Sequence, residues 1–182
     1  MMKKKKGYDM LPLLSKKLIE KKINFRWSII GKKTFLLKDK KIIKDNSKNF
    51  EIIDDMYNKN ENYFPNKELI KKYIDSDLYV NLSRVESFGI TFLESIAAET
   101  PVITFNKKGA NELIQDNING FVVQDQDLDI MANKINDIWN NFSLIESLKP
   151  NLHETIKKFD LNLVTKKLLN VYNLISKQEN IN

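Results

Sequence analysis

The chain has no cysteine and a single histidine, His153. The first absence excludes disulfides and thiolate metal sites, and the second excludes a histidine-rich metal centre. Arginine is almost as scarce: Arg26 and Arg84 are the only two, so the net charge of +6 rests on scattered lysines. Nucleic-acid binding favours clustered arginines with aromatics among them, whereas the aromatics here fall in apolar periodic segments, so no nucleic-acid partner is expected. Long apolar runs are missing as well. No stretch approaches the roughly 20 residues that span a bilayer, and the lysines at positions 3–6 precede no signal-peptide core. A cytoplasmic protein is expected, its lysines solvated, with weak peripheral attraction to an anionic inner membrane face as a second reading.

What is present suits one domain. The 182 residues, 42% of them hydrophobic, can bury a sizeable core but would be cramped as two domains, so residues 1–182 are expected to form one. A helix opens after Lys6-Gly7-Tyr8 and runs to about Lys22 on an apolar face of Leu11, Leu14, Leu18 and Ile19. Strands are predicted at Phe25–Ile30, Phe50–Asp54, Asp77–Leu82, Pro101–Phe105 and Gly120–Val123. Between Lys32 and Asn49 the lysine-rich pattern leaves strand and helix open, and Tyr57–Tyr63 reads as a polar loop. Asn66 is a predicted N-cap, starting a helix that turns Leu69, Ile70, Tyr73 and Ile74 to the core. Three more helices are expected around Leu128–Asn140, Ser143–Phe159, with Pro150 as a break, and Leu161–Ile175. Regular alternation of strand and helix predicts an α/β fold, a Rossmann-like doubly wound parallel sheet with helices on both faces.

The most informative stretch is Ser83–Glu94, where the third predicted strand passes through Gly89 into a helix whose apolar face is read as Ile90, Leu93, Ile96 and Ala97. A helix starting near Phe88–Ile90 leaves its first N–H groups unpaired, and these donors with the helix dipole favour an anion, a phosphate above all. In a parallel α/β sheet the junction also lies at a strand's carboxyl end, where ligands bind. Seven residues separate Glu86 in the loop from Glu94, one turn into the helix, so both can face one ligand. Carboxylates accept from paired hydroxyls, which a ribose or a sugar supplies.

The segment ESFGITFLESIAAETPVITFNKKGANELIQDNINGFVV resembles the donor-binding, C-terminal half of the retaining GT-B glycosyltransferases of family 4, the glycosyl transferases group 1. Their signature is a Glu, seven residues and a second Glu around Phe-Gly. The likeness continues through Thr100-Pro101-Val102-Ile103, Gly109–Glu112 and Asn119-Gly120, and takes in Lys6-Gly7 and the closing helix. It implies a hexosyltransferase of polysaccharide biosynthesis that takes a nucleotide-diphosphate sugar as its donor, with no cofactor and no metal. On that likeness Glu86 is the catalytic-site residue, holding sugar hydroxyls near the reacting carbon, and Glu94 accepts from the ribose. Phe88, Gly89, Ile90 and Thr91 offer backbone amides to sugar and diphosphate, and Lys6 neutralises the leaving diphosphate.

The family pattern also contains pieces with no counterpart here. One is an N-terminal acceptor domain; another is a central strand ending in an arginine about five residues before Lys6, a position that falls on Met1. Neither Arg26 nor Arg84 is an obvious substitute. The domain is thus expected to lack its first central strand, with the flanking strands either pairing directly or leaving open edges for a partner chain or the missing part of a longer transferase. The competing expectation is a truncated, non-catalytic module that binds a nucleotide sugar or regulates.

Overall fold

The computed structural model describes residues 6–31, 34–37, 41–53 and 66–179. Among them the helices are α1 (Leu11–Glu20), α2 (Lys41–Asp45), α3 (Lys67–Ile74), α4 (Ile90–Ala97), α5 (Lys108–Asn111), α6 (Leu128–Asn140), α7 (Ser143–Glu146), α8 (Lys149–Lys157) and α9 (Leu161–Glu179). The strands are β1 (Trp27–Ile30), β2 (Phe50–Ile53), β3 (Tyr79–Asn81), β4 (Val102–Phe105) and β5 (Gly120–Val123). All strand pairs are parallel, and helices separate most of them, as the alternation of patterns requires.

The strands fall into two sheets, β1-β2 and β3-β4-β5. The expected single sheet is therefore divided. Ile29 of β1 pairs with Ile52 of β2, while Val80 of β3 pairs with Ile103 of β4, and β1 and β3 do not pair with each other among the described residues. One core nevertheless serves both sheets, since Leu14, Leu18, Ile29, Leu82, Ile103, Phe105, Phe121 and Met131 form a single buried cluster. A second cluster, of Phe92, Ile96, Val102, Ala110, Leu113, Ile114 and Leu152, fills the other face of the larger sheet.

Local chemistry explains most element ends. Asn66 accepts from the Leu69 amide at 2.9 Å and starts α3 as its N-cap. Asp127 does the same for α6, accepting from the amides of Asp129 and Ile130. Pro150 divides the long predicted helix, because α7 ends before it and α8 carries it in its first turn, where its missing N–H costs nothing. Thr34–Leu37 is a 3₁₀ turn and Lys41–Asp45 a short helix, resolving that lysine-rich segment, while the loop expected at Tyr57–Tyr63 lies outside the described residues.

Two expected apolar faces are rotated. In α3 Leu69 and Tyr73 are buried while Ile70 and Ile74 are exposed. In α4 Phe92, Ser95 and Ile96 are buried, and Ile90 and Ala97 stand outside. Phe92, not Ile90, joins Ile96 in the core, where it packs with Val102 and Leu152 and lies edge to face with Tyr79 at a ring separation of 6.3 Å. At the end of the chain, side chains 161–176 of α9 are exposed, including Leu161, Val164, Leu168, Val171 and Ile175 at alternating spacings of three and four. No helix of the described residues is long and apolar enough to cross a membrane.

Candidate functional site

β3 delivers the chain to the Ser83–Gly89 loop at its carboxyl end, and Gly89 opens α4 with φ at 82°, a left-handed conformation that L side chains rarely adopt. The Phe92 and Leu93 amides bond the Gly89 carbonyl at 2.8 and 3.3 Å, leaving the earlier amides, those of Phe88, Gly89, Ile90 and Thr91, without a backbone acceptor among the described residues. No side chain caps this end of the helix. Four donors and the positive end of the dipole thus face the loop, as the strand-turn-helix pattern predicts.

Along the chain the two carboxylates bracket that end; burial raises the Tyr79 hydroxyl, and both carboxylates add to the rise. The Glu86 side chain is only 13% exposed and meets the Lys6 ammonium at 3.7 Å. It also accepts from the Ser87 amide, which turns it back toward the loop. Lys6 reaches Glu86 because Gly7 has φ at 71° and lies against the end of β3: a Cβ there would stand 1.9 Å from the Leu82 carbonyl oxygen. Any other residue at position 7 would push the Lys6 segment off the loop. The same turn supplies Asp9, which holds Arg84 through two hydrogen bonds of 2.7 Å. Arg84 is therefore engaged, and Arg26 stands far away beside Glu51 at 3.8 Å.

Glu94 is half-buried on α4, and burial raises its carboxyl above the usual range while a hydrogen bond from Tyr73 opposes the shift. That bond, from the Tyr73 hydroxyl to Glu94 Oε2, measures 2.9 Å. Tyr73 is pushed well above its ordinary value by burial, so it remains a donor. The sequence reading places Tyr73 in the core and misses this role; its spacing marks it as an inward residue but says nothing of a carboxylate two elements away. Alignment of the two helices comes from Thr100, whose hydroxyl donates to the Tyr73 carbonyl at 2.7 Å while its own carbonyl accepts from Ser95 at 2.7 Å.

Among the other anticipated residues, Phe88 is half-exposed and meets Phe159 edge-on at 6.0 Å, so its ring leans on the end of α8 while its amide faces the loop. Ile90 and Thr91 are exposed. Asn119 is structural: buried, it donates to the Leu113 carbonyl and to the Thr155 hydroxyl. Lys107 lies outside the motif read from the sequence, yet among the described residues its Nζ is buried without a hydrogen-bond partner two residues past β4. Its position between a strand end and Gly109 was the available signal.

Two open clefts of about 630 and 430 Å³ lie elsewhere, one lined by Asn24, Phe25, Arg26 and Trp139 ahead of β1, the other beside Phe50 at the start of β2. Concavity and chemistry thus point to different places. We follow the chemistry, because ligands of parallel α/β sheets bind at the carboxyl ends of strands. Among the described residues no group of three His, Asp or Glu side chains gathers as a metal site.

The parallel α/β layers match those of solved glycosyltransferases of the GT-B type, of which this chain forms about half. Residues 1–155 match the family model described as glycosyl transferases group 1, and the chain belongs to that family. It is 32% identical over 122 residues to the capsular polysaccharide biosynthesis glycosyltransferase CapM of Staphylococcus aureus, covering 63% of this chain and 32% of CapM. A crystal structure of a glycosyltransferase from Rickettsia africae superposes with a TM-score of 0.75 at 26% identity, over 95% of this chain and 45% of that one. A TarM variant from S. aureus, crystallised with fondaparinux, alpha-GlcNAc-glycerol and UDP, gives a TM-score of 0.74 at 26% identity, over 93% of this chain and 33% of that one. The chain thus spans between a third and a half of the length of these proteins.

Proposed function

We propose that this chain is the donor-binding, C-terminal half of a retaining family 4 glycosyltransferase, which holds a nucleotide-diphosphate sugar for transfer to an acceptor bound by a second domain. The observation that carries this reading is the arrangement of Glu86 and Glu94 on either side of the free amides of Phe88–Thr91, with Lys6 beside Glu86. The diphosphate lies on the amides and near Lys6. The ribose hydroxyls donate to Glu94, which Tyr73 holds in place, and the sugar hydroxyls donate to Glu86, bringing the reacting carbon over the loop. As the nucleoside diphosphate departs, negative charge grows on its oxygens, and fixed amides with a nearby ammonium stabilise that charge without reorganising. This reading assigns no metal to the step. UDP in the TarM crystals supports a nucleotide as a ligand of this fold, and the name of CapM supports polysaccharide biosynthesis as the setting.

The acceptor side comes from a partner chain or a further part of a longer transferase. Two observations support it: among the described residues β1 and β3 are edge strands of separate sheets, and α9 carries an exposed apolar seam. A non-catalytic nucleotide-sugar-binding module is the alternative, distinguished by whether adding the missing part restores turnover.

Calorimetric titration with UDP-, GDP- and ADP-sugars tests the donor site. One of them binds weakly, and Glu94→Ala weakens that binding by about 1.5–3 kcal/mol, the worth of hydrogen bonds to a charged group. Binding unchanged by that substitution would sink the ribose assignment.

A further inference from the structure

The loop after β4 runs directly under the carboxylate side of the site. Gly109 lies so close to it that a Cβ would stand 2.1 Å from the Glu86 carbonyl oxygen and 2.9 Å from that of Ser87. Lys107, two residues earlier, is fixed in backbone by a bond from its amide to Asn111 Oδ1 at 3.3 Å. Its stem is partly exposed, but Nζ itself is covered, lies 5.1 Å from the centre of the Phe105 ring, and makes no hydrogen bond. A covered ammonium with no acceptor is costly, and burial is accordingly the first cause that lowers its pKa to about 8; repulsion by Arg84 adds to this and attraction to Glu86 opposes it.

The cations around this loop are not equally paired. Arg84 is matched by Asp9 through a bidentate pair. Glu86 is then left to answer both Lys6, at 3.7 Å, and Lys107. Lys107 forms no ion pair among the described residues, and it stands near four amides without a backbone acceptor, at the carboxyl ends of β3 and β4. An anion would give it a partner, and a lysine on a flexible four-carbon stem can swing to meet it.

We propose that Lys107 is a second cation of this site, which moves its ammonium from the Phe105 ring onto the phosphate oxygens of a bound nucleoside diphosphate. The proposal rests on the donor-site reading above and extends it to a residue outside the Glu86–Glu94 signature. It also supplies a positive charge that neither arginine of the chain offers at this point. Lys107 is a binding residue in the free protein and adds to the stabilisation of the departing diphosphate during transfer.

The test uses the 182-residue chain, its Lys107→Met and Lys107→Arg variants, and UDP, GDP and ADP, titrated at pH 8 in two buffers of different ionisation enthalpy. For the diphosphate that binds, Lys107→Met weakens binding about tenfold or more, while Lys107→Arg stays near wild type. Wild type takes up a fraction of a proton per ligand, because a group with a pKa of about 8 is partly neutral at pH 8 before the anion arrives. The uptake disappears in Lys107→Met. Unchanged affinity with unchanged uptake overturns the proposal and leaves the donor-site reading standing. Equal loss of affinity for the corresponding uncharged nucleoside overturns the phosphate contact. If none of the three diphosphates binds wild type, the donor-site reading itself fails, and Lys107 with it.

Discussion

The two sheets of this protein are built from similar short apolar strands, yet they are buried very differently. All four residues of β4 are buried and three of four in β5, whereas β2 has none and β1 only Ile29. β4 is covered on both faces: α4, α5 and α8 bring one cluster to Val102, and α1 and α6 bring the other to Ile103 and Phe105. Among the described residues the β1-β2 pair has no third strand beside it, and its polar network of Glu51, Lys72, Ser28 and Arg26 stands half in water. The candidate site is rooted in the well-covered sheet. Its geometry is therefore held by the rigid part of the molecule, while the poorly covered sheet is the side on which a further element has most to add.

The same truncation made in both sheets breaks this comparison most sharply. Ile103→Ala, at a fully buried position of β4, is expected to cost about 2–5 kcal/mol in urea unfolding, and Ile52→Ala, half-buried in β2, about 1–2 kcal/mol. Equal losses would show that the two sheets are covered alike in solution.

A smaller effect is expected where the two halves of the site meet. Tyr73→Phe removes the donor that holds Glu94 and costs about 1–2 kcal/mol near neutral pH. Burial already raises the Glu94 carboxyl, and loss of the tyrosine removes the interaction that opposes the rise. A carboxyl whose folded pKa lies above the unfolded one contributes stability at low pH and loses it as pH rises through the folded value. The difference between Tyr73→Phe and wild type should accordingly be larger at pH 7 than at pH 4, as urea midpoints at the two pH values will reveal.

The smallest effect belongs to the exposed network of the β1-β2 sheet. The Lys72 ammonium holds both Glu51 oxygens at 2.7 Å and is the first cause of a depressed Glu51 pKa, followed by the Ser28 hydroxyl. A depressed carboxyl contributes stability above its unfolded pKa, and that contribution is lost as pH falls through the folded value. Glu51→Gln is expected to cost about 0.2–1 kcal/mol at pH 7 and low salt, fading at high salt and in acid. Thermal melts across salt concentrations would sharpen the contrast with the buried Tyr73–Glu94 bond, which salt should hardly touch.

Much of this architecture is legible in the sequence because it is set by neighbours along the chain. Asn66 caps its helix through an amide three residues on, Pro150 breaks a helix at its own position, and Gly89 turns strand into helix through its own backbone. The carboxylates at 86 and 94 and the donors between them follow from that local grammar, as does the parallel α/β class. Where the pattern was misread, in α3 and α4, spacing identified an apolar side chain but not which side a neighbour would cover. Phe92 rather than Ile90 faces the cluster that β4 and α8 supply.

Sequence alone determined most of the elements, the strand-turn-helix junction and the residue types gathered there, since hydrogen bonds and conformational preferences within a few residues decide these. Only the tertiary structure decided that Lys6 meets Glu86, that Tyr73 holds Glu94, that Lys107 is covered without a partner, and that the strands separate into two sheets. Each of these joins residues far apart in the chain or depends on what surrounds them. Burial and charge pairing are properties of a packed neighbourhood, and no local spacing carries them.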